Sequence, residues 1–408
     1  MFPAIGFSQS NTYDLDIYPD LWYNSVDGVR VGGFVLGQME GEFKSGPHRL
    51  DAGVWLGTNF PDLPVSYYVS FTEPLNRDVI PGNEANVQVQ SSIRTGYSQH
   101  GVSFNKRWQP GFNELVFREI SVGVSQEKVI DNNYRLIPFQ ETDWKTLAGL
   151  FIETSGFTPF GDLKTNVSFQ HNLSASSSQF SVGKTEIKHV VDLGKGFGIN
   201  MRLFGALTSS NAPQEYHFSA ANRDLISWLN NGFTRATGTI PKGLFENGLL
   251  QISGGFNLRG YNIEQFTSAL SSGDQTKSYL GLIDKGISIN SEVIFPNYIN
   301  SLLKRTIVGD FVHLNSYLFY DIGKLNGSAL EGDVLYPVDK IFADAGIGLQ
   351  FSVNIPDWLG KDRDFAIRYD LPLWLSDPNG LLPVSLAAPE SSQFKFRGIL
   401  GIGAVISL

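Results

Sequence analysis

The stretch DAGIGLQFSVNI, residues 344–355, decides the fold class, because apolar residues alternate along it with polar residues or glycine without an error. One face carries Ala345, Ile347, Leu349, Phe351, Val353 and Ile355. The other face carries Asp344, Gly346, Gly348, Gln350, Ser352 and Asn354. A period of two residues predicts a β-strand. The run exceeds the roughly 5–6 residues of strands in soluble sandwiches and suits a tilted strand that crosses about 25 Å of hydrocarbon.

The two segments that follow repeat this pattern towards the end of the chain. In RDFAIRYDLPLWL, residues 363–375, the apolar face consists of Phe365, Ile367, Tyr369, Leu371, Leu373 and Leu375. In FKFRGILGIGAVISL, residues 394–408, it consists of Phe394, Phe396, Leu400, Ile402, Ala404, Ile406 and Leu408. Similar runs occupy residues 29–43, 48–59, 65–75, 114–129, 163–173 and 198–210. About fourteen strands meet this criterion.

Charged side chains fall on the polar face of these strands, namely Asp344, Arg368, Asp370, Lys395 and Arg397. A soluble sandwich or propeller would bury them in a dry core at a high cost. A barrel in lipid instead turns its apolar face outward and its polar face towards a wet lumen. Only a closed sheet satisfies every backbone group in hydrocarbon. The predicted fold is therefore all-β, a transmembrane antiparallel β-barrel, and its predicted location is the bacterial outer membrane.

The composition excludes several classes of protein. The chain of 408 residues has a net charge of −9, so we expect no nucleic-acid partner. It has no cysteine, and its six histidines form no His-Glu-x-x-His motif. Serine-hydrolase and P-loop signatures are absent, as is any apolar run approaching the roughly eighteen residues of a transmembrane helix. We therefore expect no enzyme, no metal and no cofactor.

The chain shows no linker that would divide it into separate domains. We expect a lead-in segment at residues 1–27 and a barrel at residues 28–408. A long irregular segment, about residues 211–276, separates two strong strands and is predicted to be an extracellular loop. The first ten residues do not resemble a signal peptide. Either a signal peptide has been removed or the chain is a piece of a longer protein.

One arginine in this long loop raises a specific question, because it lies in the stretch GGFNLRGYN, residues 254–262. A solvated arginine without a role is the simpler interpretation of its local composition. However, the alternation of the next two strands places Glu292 and Asp321 on their lumenal faces. If the loop folds inward, Arg259 bridges both carboxylates through charge-assisted hydrogen bonds. Gly260 would then permit a turn closed to other residues, and Tyr261 would add apolar contact.

Three motifs in this order resemble the BamA-type superfamily of outer-membrane assembly and secretion barrels. The first is Leu258-Arg259-Gly260-Tyr261 in the loop, and the second is the acidic residue of Glu292-Val293-Ile294-Phe295-Pro296. The third is Phe319-x-Asp321-x-Gly323, after which three more strands finish the chain. The resemblance implies about 16 strands, with the loop in the lumen and its arginine docked on the wall. It also implies outer-membrane lipid, a polypeptide client and other subunits of a membrane complex as partners.

A second, narrower resemblance is to barrels fused behind aminopeptidase-like domains in Bacteroidota-type bacteria. It rests on YPDLWYNSVDGVRVGG, residues 18–33, and on the segment from FTRATGTIP to GGFNLRGYN, residues 233–262. The peptidase domains themselves are not in this chain, and we find no periplasmic POTRA repeats. The final residue is Leu408, where many such barrels end in Phe or Trp. These differences from the family count against foldase activity, but they do not change the predicted fold.

Glycines in the first and last predicted strands suggest a weak seam where the barrel closes. They are Gly32, Gly33, Gly37 and Gly41 at one side and Gly398, Gly401 and Gly403 at the other. Glycine weakens a strand because it loses the most entropy and packs nothing. One hypothesis is a seam that opens sideways towards lipid, as the resemblance implies. The alternative is that these glycines make room for lumenal side chains.

Three functions are compatible with the sequence. The first is a BamA-type barrel that helps insert polypeptide into the outer membrane or move it across. The second is a passive, plugged barrel that anchors an attached or associated peptidase-like domain. The third is a diffusion porin, which should have a wide lumen and no docked arginine. A paired acid and base at Glu292 and Asp321 is a weaker hypothesis, because these carboxylates match the arginine better.

Overall fold

The computed structural model describes residues 13–24, 27–39, 48–59, 65–75, 83–94, 96–111, 113, 115–130, 141–174, 177–224, 226–227, 249–265, 279–303, 306, 312–331, 334–355, 363–378, 380, 392–394 and 396–406. All statements below concern these residues. The first eleven strands are β1 (Tyr13–Asn24), β2 (Gly28–Met39), β3 (Arg49–Gly57), β4 (Val65–Pro74), β5 (Asn83–Arg94), β6 (Tyr97–Trp108), β7 (Phe117–Val129), β8 (Lys145–Thr158), β9 (Gly161–Asn172), β10 (Ser181–Gly194) and β11 (Phe197–Thr208).

The remaining elements are fewer, and several are longer. They are β12 (Leu250–Ile252), β13 (Tyr279–Phe295), β14 (Val312–Glu331), β15 (Val334–Ile355), β16 (Arg363–Leu375) and β17 (Ile399–Ile402), with one α-helix, α1 (Tyr298–Leu303). Two 3-10 segments, Gln214–Tyr216 and Arg259–Gln265, lie between β11 and β13. No helix in the described part of the chain is long and apolar enough to span a membrane.

The seventeen strands form one sheet in which neighbours along the chain pair in antiparallel fashion. The exception is β12, which interrupts the order: β11 pairs directly with β13, and β12 pairs in parallel with β17. Removing β12 from the seventeen leaves sixteen strands in the wall. The all-β barrel fold and its approximate strand number are therefore confirmed.

The two faces of the wall differ as the alternation predicts. Ile289, Val293, Leu318 and Tyr320 are exposed on the outer face, in keeping with a lipid-facing surface. On the lumenal face of the same strands, Asn290, Glu292, Phe319 and Asp321 are buried, because the segment between β11 and β13 folds into the lumen. We call this segment the plug; its described residues are 209–224, 226–227 and 249–265.

The sheet begins earlier than the sequence analysis predicted. Residues 13–24, assigned above to a lead-in segment, form β1 and pair along their whole length with β2. The segment alternates exposed Leu15, Ile17 and Leu21 with aspartates, so it follows the same outward and inward rule as the later strands. Pro19 is part of this strand and lies opposite Gly33 of β2.

The outward face predicted for the end of β16 is wrong at Leu375, which is buried and only 1% exposed. The cause is a bulge: Ala345 pairs with Trp374, but Gly346 pairs with Pro372, so Leu373 has no opposite residue. An extra residue reverses the faces beyond it. Leu375 therefore points into the lumen, where it contacts the plug.

Candidate functional site

Arg259 lies at the centre of a buried cluster between the plug and the wall, and its side chain is fully buried. Its Nε and Nη2 donate to the two carboxylate oxygens of Asp321 at 2.7 and 2.9 Å. Its Nη1 donates to Glu292 Oε1 at 2.8 Å, and Asp370 Oδ1 lies 3.8 Å away. The planar guanidinium thus makes a bidentate ion pair with Asp321 of β14 and a further hydrogen bond with Glu292 of β13.

Aromatic rings complete the surroundings of this guanidinium. Its carbon atom lies 4.0 Å from the centre of the Phe319 ring and 5.7 Å from that of Tyr317. Cations over aromatic faces are stabilised more strongly when they are desolvated. Burial alone would lower the pKa of Arg259, but Asp321 and Glu292 hold it well above its ordinary value. The plug arginine is therefore a permanent charge.

The neighbours of Arg259 fit the wall closely. Leu258 is fully buried and reaches towards Gly323, where an added Cβ would lie 3.4 Å from Leu258 Cδ2. Tyr261 donates its hydroxyl to the Ala343 carbonyl at 3.1 Å and packs edge-on against Phe342. Burial raises the pKa of Tyr261 to about 12.

The role expected for Gly260 is wrong. Its φ angle is not in the left-handed region, so the turn does not require glycine. What it provides is space: a Cβ at this position would lie 2.8 Å from Asp344 Cβ and 3.2 Å from Leu375 Cγ. The plug backbone therefore approaches β15 and β16 more closely than any side chain allows.

A second arginine, Arg368 of β16, joins the cluster to the end of the chain. It is fully buried and forms an ion pair with Asp370, which also accepts the Tyr317 hydroxyl at 2.6 Å. Its Nη2 donates to Gln251 Oε1 at 2.8 Å and to Ser253 Oγ at 3.0 Å, both in the plug. Alternation along β16 predicts Arg368 and Asp370 on the lumenal face, but the site predicted from the sequence does not include them. The pattern that could have identified them is an arginine and an aspartate two residues apart, which places both side chains on the lumenal face of one strand.

Arg202 of β11 supports the cluster from the other side. It donates to Glu186 at 2.6 Å, to Asn290 Oδ1 at 2.8 Å and to the plug carbonyl of Gly255 at 2.7 Å. Asn290 in turn donates to Asp321 Oδ1 at 3.0 Å. A continuous hydrogen-bond network therefore connects β10, β11, β13 and β14, and the plug carbonyl of Gly255 is bound to it.

The plug is also attached to a distant part of the wall. Tyr216 donates to Glu127 of β7, and Glu215 forms an ion pair of 3.1 Å with Lys145 of β8. Burial raises the pKa of Glu215, and the Lys145 ammonium opposes this rise. Since β7 and β14 are far apart in the sheet order, the plug crosses the lumen between them. This attachment was missed, because tyrosine and glutamate in an irregular segment give no periodic signal.

The seam glycines do not all lie where the sequence analysis expected them. Gly32, Gly33 and Gly37 are in β2, which is flanked by β1 and β3 and is not the first strand. Gly32 and Gly37 make room for side chains, since an added Cβ would come within 2.4 Å of Trp55 and 2.5 Å of Tyr13. Gly41 lies outside the described residues.

The glycines at the end of the chain are closely packed. The short strand β17 covers only residues 399–402 and pairs with β16 and β12. A Cβ at Gly398 would overlap Tyr369, and one at Gly401 would lie 2.6 Å from the Arg368 guanidinium. Gly403 has a φ of +83°, and its carbonyl accepts a bond of 2.7 Å from Arg368 Nε. No ladder pairing among the described residues joins β1 to β16 or β17.

The cluster is rich in carboxyl groups. Four carboxyl groups, those of Glu292, Asp321, Asp344 and Asp370, surround the guanidinium groups of Arg259 and Arg368. Asp344 lies directly opposite Asp321 on the neighbouring strand, next to Gly260 of the plug. The described residues contain no group of acidic or histidine side chains arranged to hold a metal ion.

No protein-family model and no curated protein matches the chain. Among solved structures, BamA from Haemophilus ducreyi lacking POTRA domains 1–3 is 14% identical, with a TM-score of 0.44 over 89% of this chain and 67% of that one. The siderophore receptor PirA from Pseudomonas aeruginosa is 12% identical, with a TM-score of 0.36 over 88% of this chain and 57% of that one. The copper transporter OprC is 8% identical, with a TM-score of 0.38 over 89% and 61%. These TM-scores lie below 0.5, so the chemistry of the site rests on the residues of this chain.

Proposed function

We propose that this chain is an outer-membrane barrel of the BamA type, which inserts polypeptide into the membrane or moves it across without covalent chemistry. The observation that carries the proposal is the docking of Arg259 on Glu292 and Asp321. Residues from three sequence motifs that are far apart in the chain meet in this one buried cluster. The proposed partners are outer-membrane lipid, a polypeptide client and other subunits of a membrane complex.

The plug would control the barrel by occupying or leaving this position. Breaking a buried ion pair by removing one partner costs about 3–5 kcal/mol. A difference of this size holds a two-state element almost entirely in one state, yet a bound client that contacts the other state can reverse it. The energies of the cluster are therefore of the right order for a plug that is docked at rest and displaced by a client.

A passive anchor is the second candidate, and one observation favours it. The plug is attached both to β13–β16 through Arg259 and Arg368 and to β7–β8 through Tyr216 and Glu215. Attachment on two parts of the wall is what a permanently closed barrel requires. Such a barrel would hold an associated peptidase-like domain at the membrane and carry nothing through its lumen.

Depletion of the protein in its host distinguishes these functions. The BamA-type function predicts that other outer-membrane or secreted proteins accumulate unfolded or are degraded, and that wild-type protein restores them. Restoration by Arg259→Ala should be incomplete, whereas Arg223→Lys, on the same plug, serves as the matched control. If every other outer-membrane protein assembles and is exported normally, the proposal is wrong and the anchor is favoured. Large, steady conductance steps from the wild-type protein in planar bilayers would instead indicate a porin.

A further inference from the structure

A cavity of about 550 Å³ lies between the plug and the inner face of β5–β9. The plug contributes Ile226 and Ser227 to it, β10 contributes Lys184, and β5–β9 contribute the rest of its described lining. This part of the lumen is separate from the Arg259 cluster, which faces β13–β16. Its volume falls in the range of about 300–1,000 Å³ that is usual for ligand sites.

Apart from Lys184, the polar side chains in the described lining of the cavity are uncharged. It carries the amides of Gln88, Gln90, Gln99 and Gln170 and the hydroxyls of Ser125 and Ser168. Two of these amides are oriented by their neighbours, because Gln88 donates to Ser70 at 2.9 Å and Gln90 donates to Gln99 at 3.3 Å. Lys184, the one cation among the described lining residues, has its ammonium 2.5 Å from Asp224 of the plug. Each remaining amide or hydroxyl atom can donate or accept a hydrogen bond without a charge to neutralise.

A glycine in the cavity lining leaves open space. Gly149 of β8 lines the cavity, and the nearest atoms to an added Cβ would be 3.9 Å away. A larger side chain at position 149 would therefore fit without a clash. Glycine is not required there by close packing, and it leaves the space in the cavity unfilled. Elsewhere on the same wall the lumen is charged, with ion pairs between Arg107 and Glu119 and between Lys164 and Glu153. The neutral zone is therefore confined to the cavity.

We propose that this cavity binds an extended, uncharged segment of polypeptide; the proposal rests on the proposed function and locates the client. Main-chain amides have one donor and one acceptor per residue, which is the pattern that glutamine and serine side chains match. Five adjacent strands about 4.8 Å apart extend ~19 Å around the wall, which is the length of about six extended residues. A glycan is less well matched, because Phe151 is the single aromatic residue and no carboxylate occurs among the described lining residues.

The test measures binding of a short fluorescent peptide of glycine, serine and glutamine to the purified full-length chain in detergent. Gly149→Leu fills the cavity and should weaken binding by about tenfold or more. Gly205→Leu is the matched control: Gly205 is in β11, and an added Cβ would have no atom within 4 Å there. In case Gly149→Leu does not fold, Ser125→Cys is folded first and then alkylated with a bulky maleimide. The control is Val122→Cys in the same strand, which is exposed on the outer face and does not line the cavity.

Equal binding by the filled and control variants would overturn the assignment, as would displacement of the peptide by a neutral oligosaccharide at lower concentration than by unlabelled peptide. Two combined outcomes separate this proposal from the proposed function. If filling abolishes peptide binding but depletion in cells leaves all other outer-membrane proteins intact, the cavity binds peptide and the BamA-type function is wrong. If depletion causes the export defect but the cavity variants bind and function normally, the function stands and the cavity is not the client site.

Discussion

Replacing Arg259 should release the plug in graded steps. Arg259→Lys keeps the charge but exchanges the planar fork for a point charge, so at least one of the bonds of 2.7, 2.8 and 2.9 Å is lost. A hydrogen bond to a charged group contributes about 1.5–3 kcal/mol. Arg259→Ala leaves the surrounding carboxylates without their cation and should cost about 3–5 kcal/mol. The docking equilibrium should shift by about 10- to 150-fold for lysine and on the order of 10² to 10⁴-fold for alanine.

A single thiol reports this equilibrium, because the natural chain contains no cysteine. Ala220 lies in the plug and is fully buried, and its carbonyl accepts the Leu258 backbone N–H at 3.0 Å. In an Ala220→Cys background, the rate of maleimide labelling in detergent follows the fraction of undocked plug when docking is fast. The expected order of labelling rates is wild type, Arg259→Lys, then Arg259→Ala, each in this background.

The control is Arg223→Lys, since Arg223 Nε donates to Ser253 within the plug and its replacement should change labelling little. Equal labelling of all variants would refute the reasoning, because it would show that the buried ion pairs do not determine the plug position. Faster labelling of Arg223→Lys than of Arg259→Ala would show that the internal structure of the plug matters more than its attachment to the wall.

Two further predictions use the same reporter, and a third is measured by hydrogen exchange. Gly260→Ala should increase labelling by about tenfold or more, because its Cβ would lie 2.8 Å from Asp344 Cβ, whereas Gly205→Ala has open space and should have no effect. Burial raises the pKa of Tyr261 to about 12, so the docked plug binds a proton more tightly than the undocked one. Docking should therefore be fully stable below pH ~10 and weaken as the pH rises towards 12, and Tyr261→Phe should remove this component while wild type retains it. Arg368→Lys should loosen both the plug and the chain end, seen as faster hydrogen exchange at residues 251–253 and 399–403; protection unchanged at both would contradict the role of Arg368.

Much of the wall could be predicted, because lipid imposes an alternation that each strand shows by itself. Glu292 and Asp321 were placed on the lumenal faces by counting residues from apolar neighbours, and both are buried there. The same rule failed to reveal β1, although Leu15, Ile17 and Leu21 obey it. Three aspartates and Pro19 among these residues are typical of a solvated segment, and only pairing with β2 shows that they belong to the sheet.

The plug contacts could be predicted only where a motif indicated them. Arg259 was noticed because of its glycine and tyrosine neighbours, whereas Tyr216 and Gln251 carry no local signal. Their partners, Glu127 and Arg368, are brought near them by the curvature of the sheet rather than by sequence spacing. Leu375 shows a second limit, because a single bulge reverses the face of every later residue in the strand.

The parallel pairing of β12 with β17 links two regions that are usually considered separately. The Leu400 N–H donates to the Leu249 carbonyl at 2.7 Å, and the Ser253 N–H donates to the Ile402 carbonyl at 3.0 Å. If the plug leaves, these groups of the final strand lose their partners, and exposed donors and acceptors cost several kcal/mol next to hydrocarbon. A newly arriving strand that satisfies them would stabilise the vacated state. A strand that binds this edge would favour the displaced plug by some factor. By thermodynamic reciprocity, displacement of the plug would increase the affinity of the edge for that strand by the same factor.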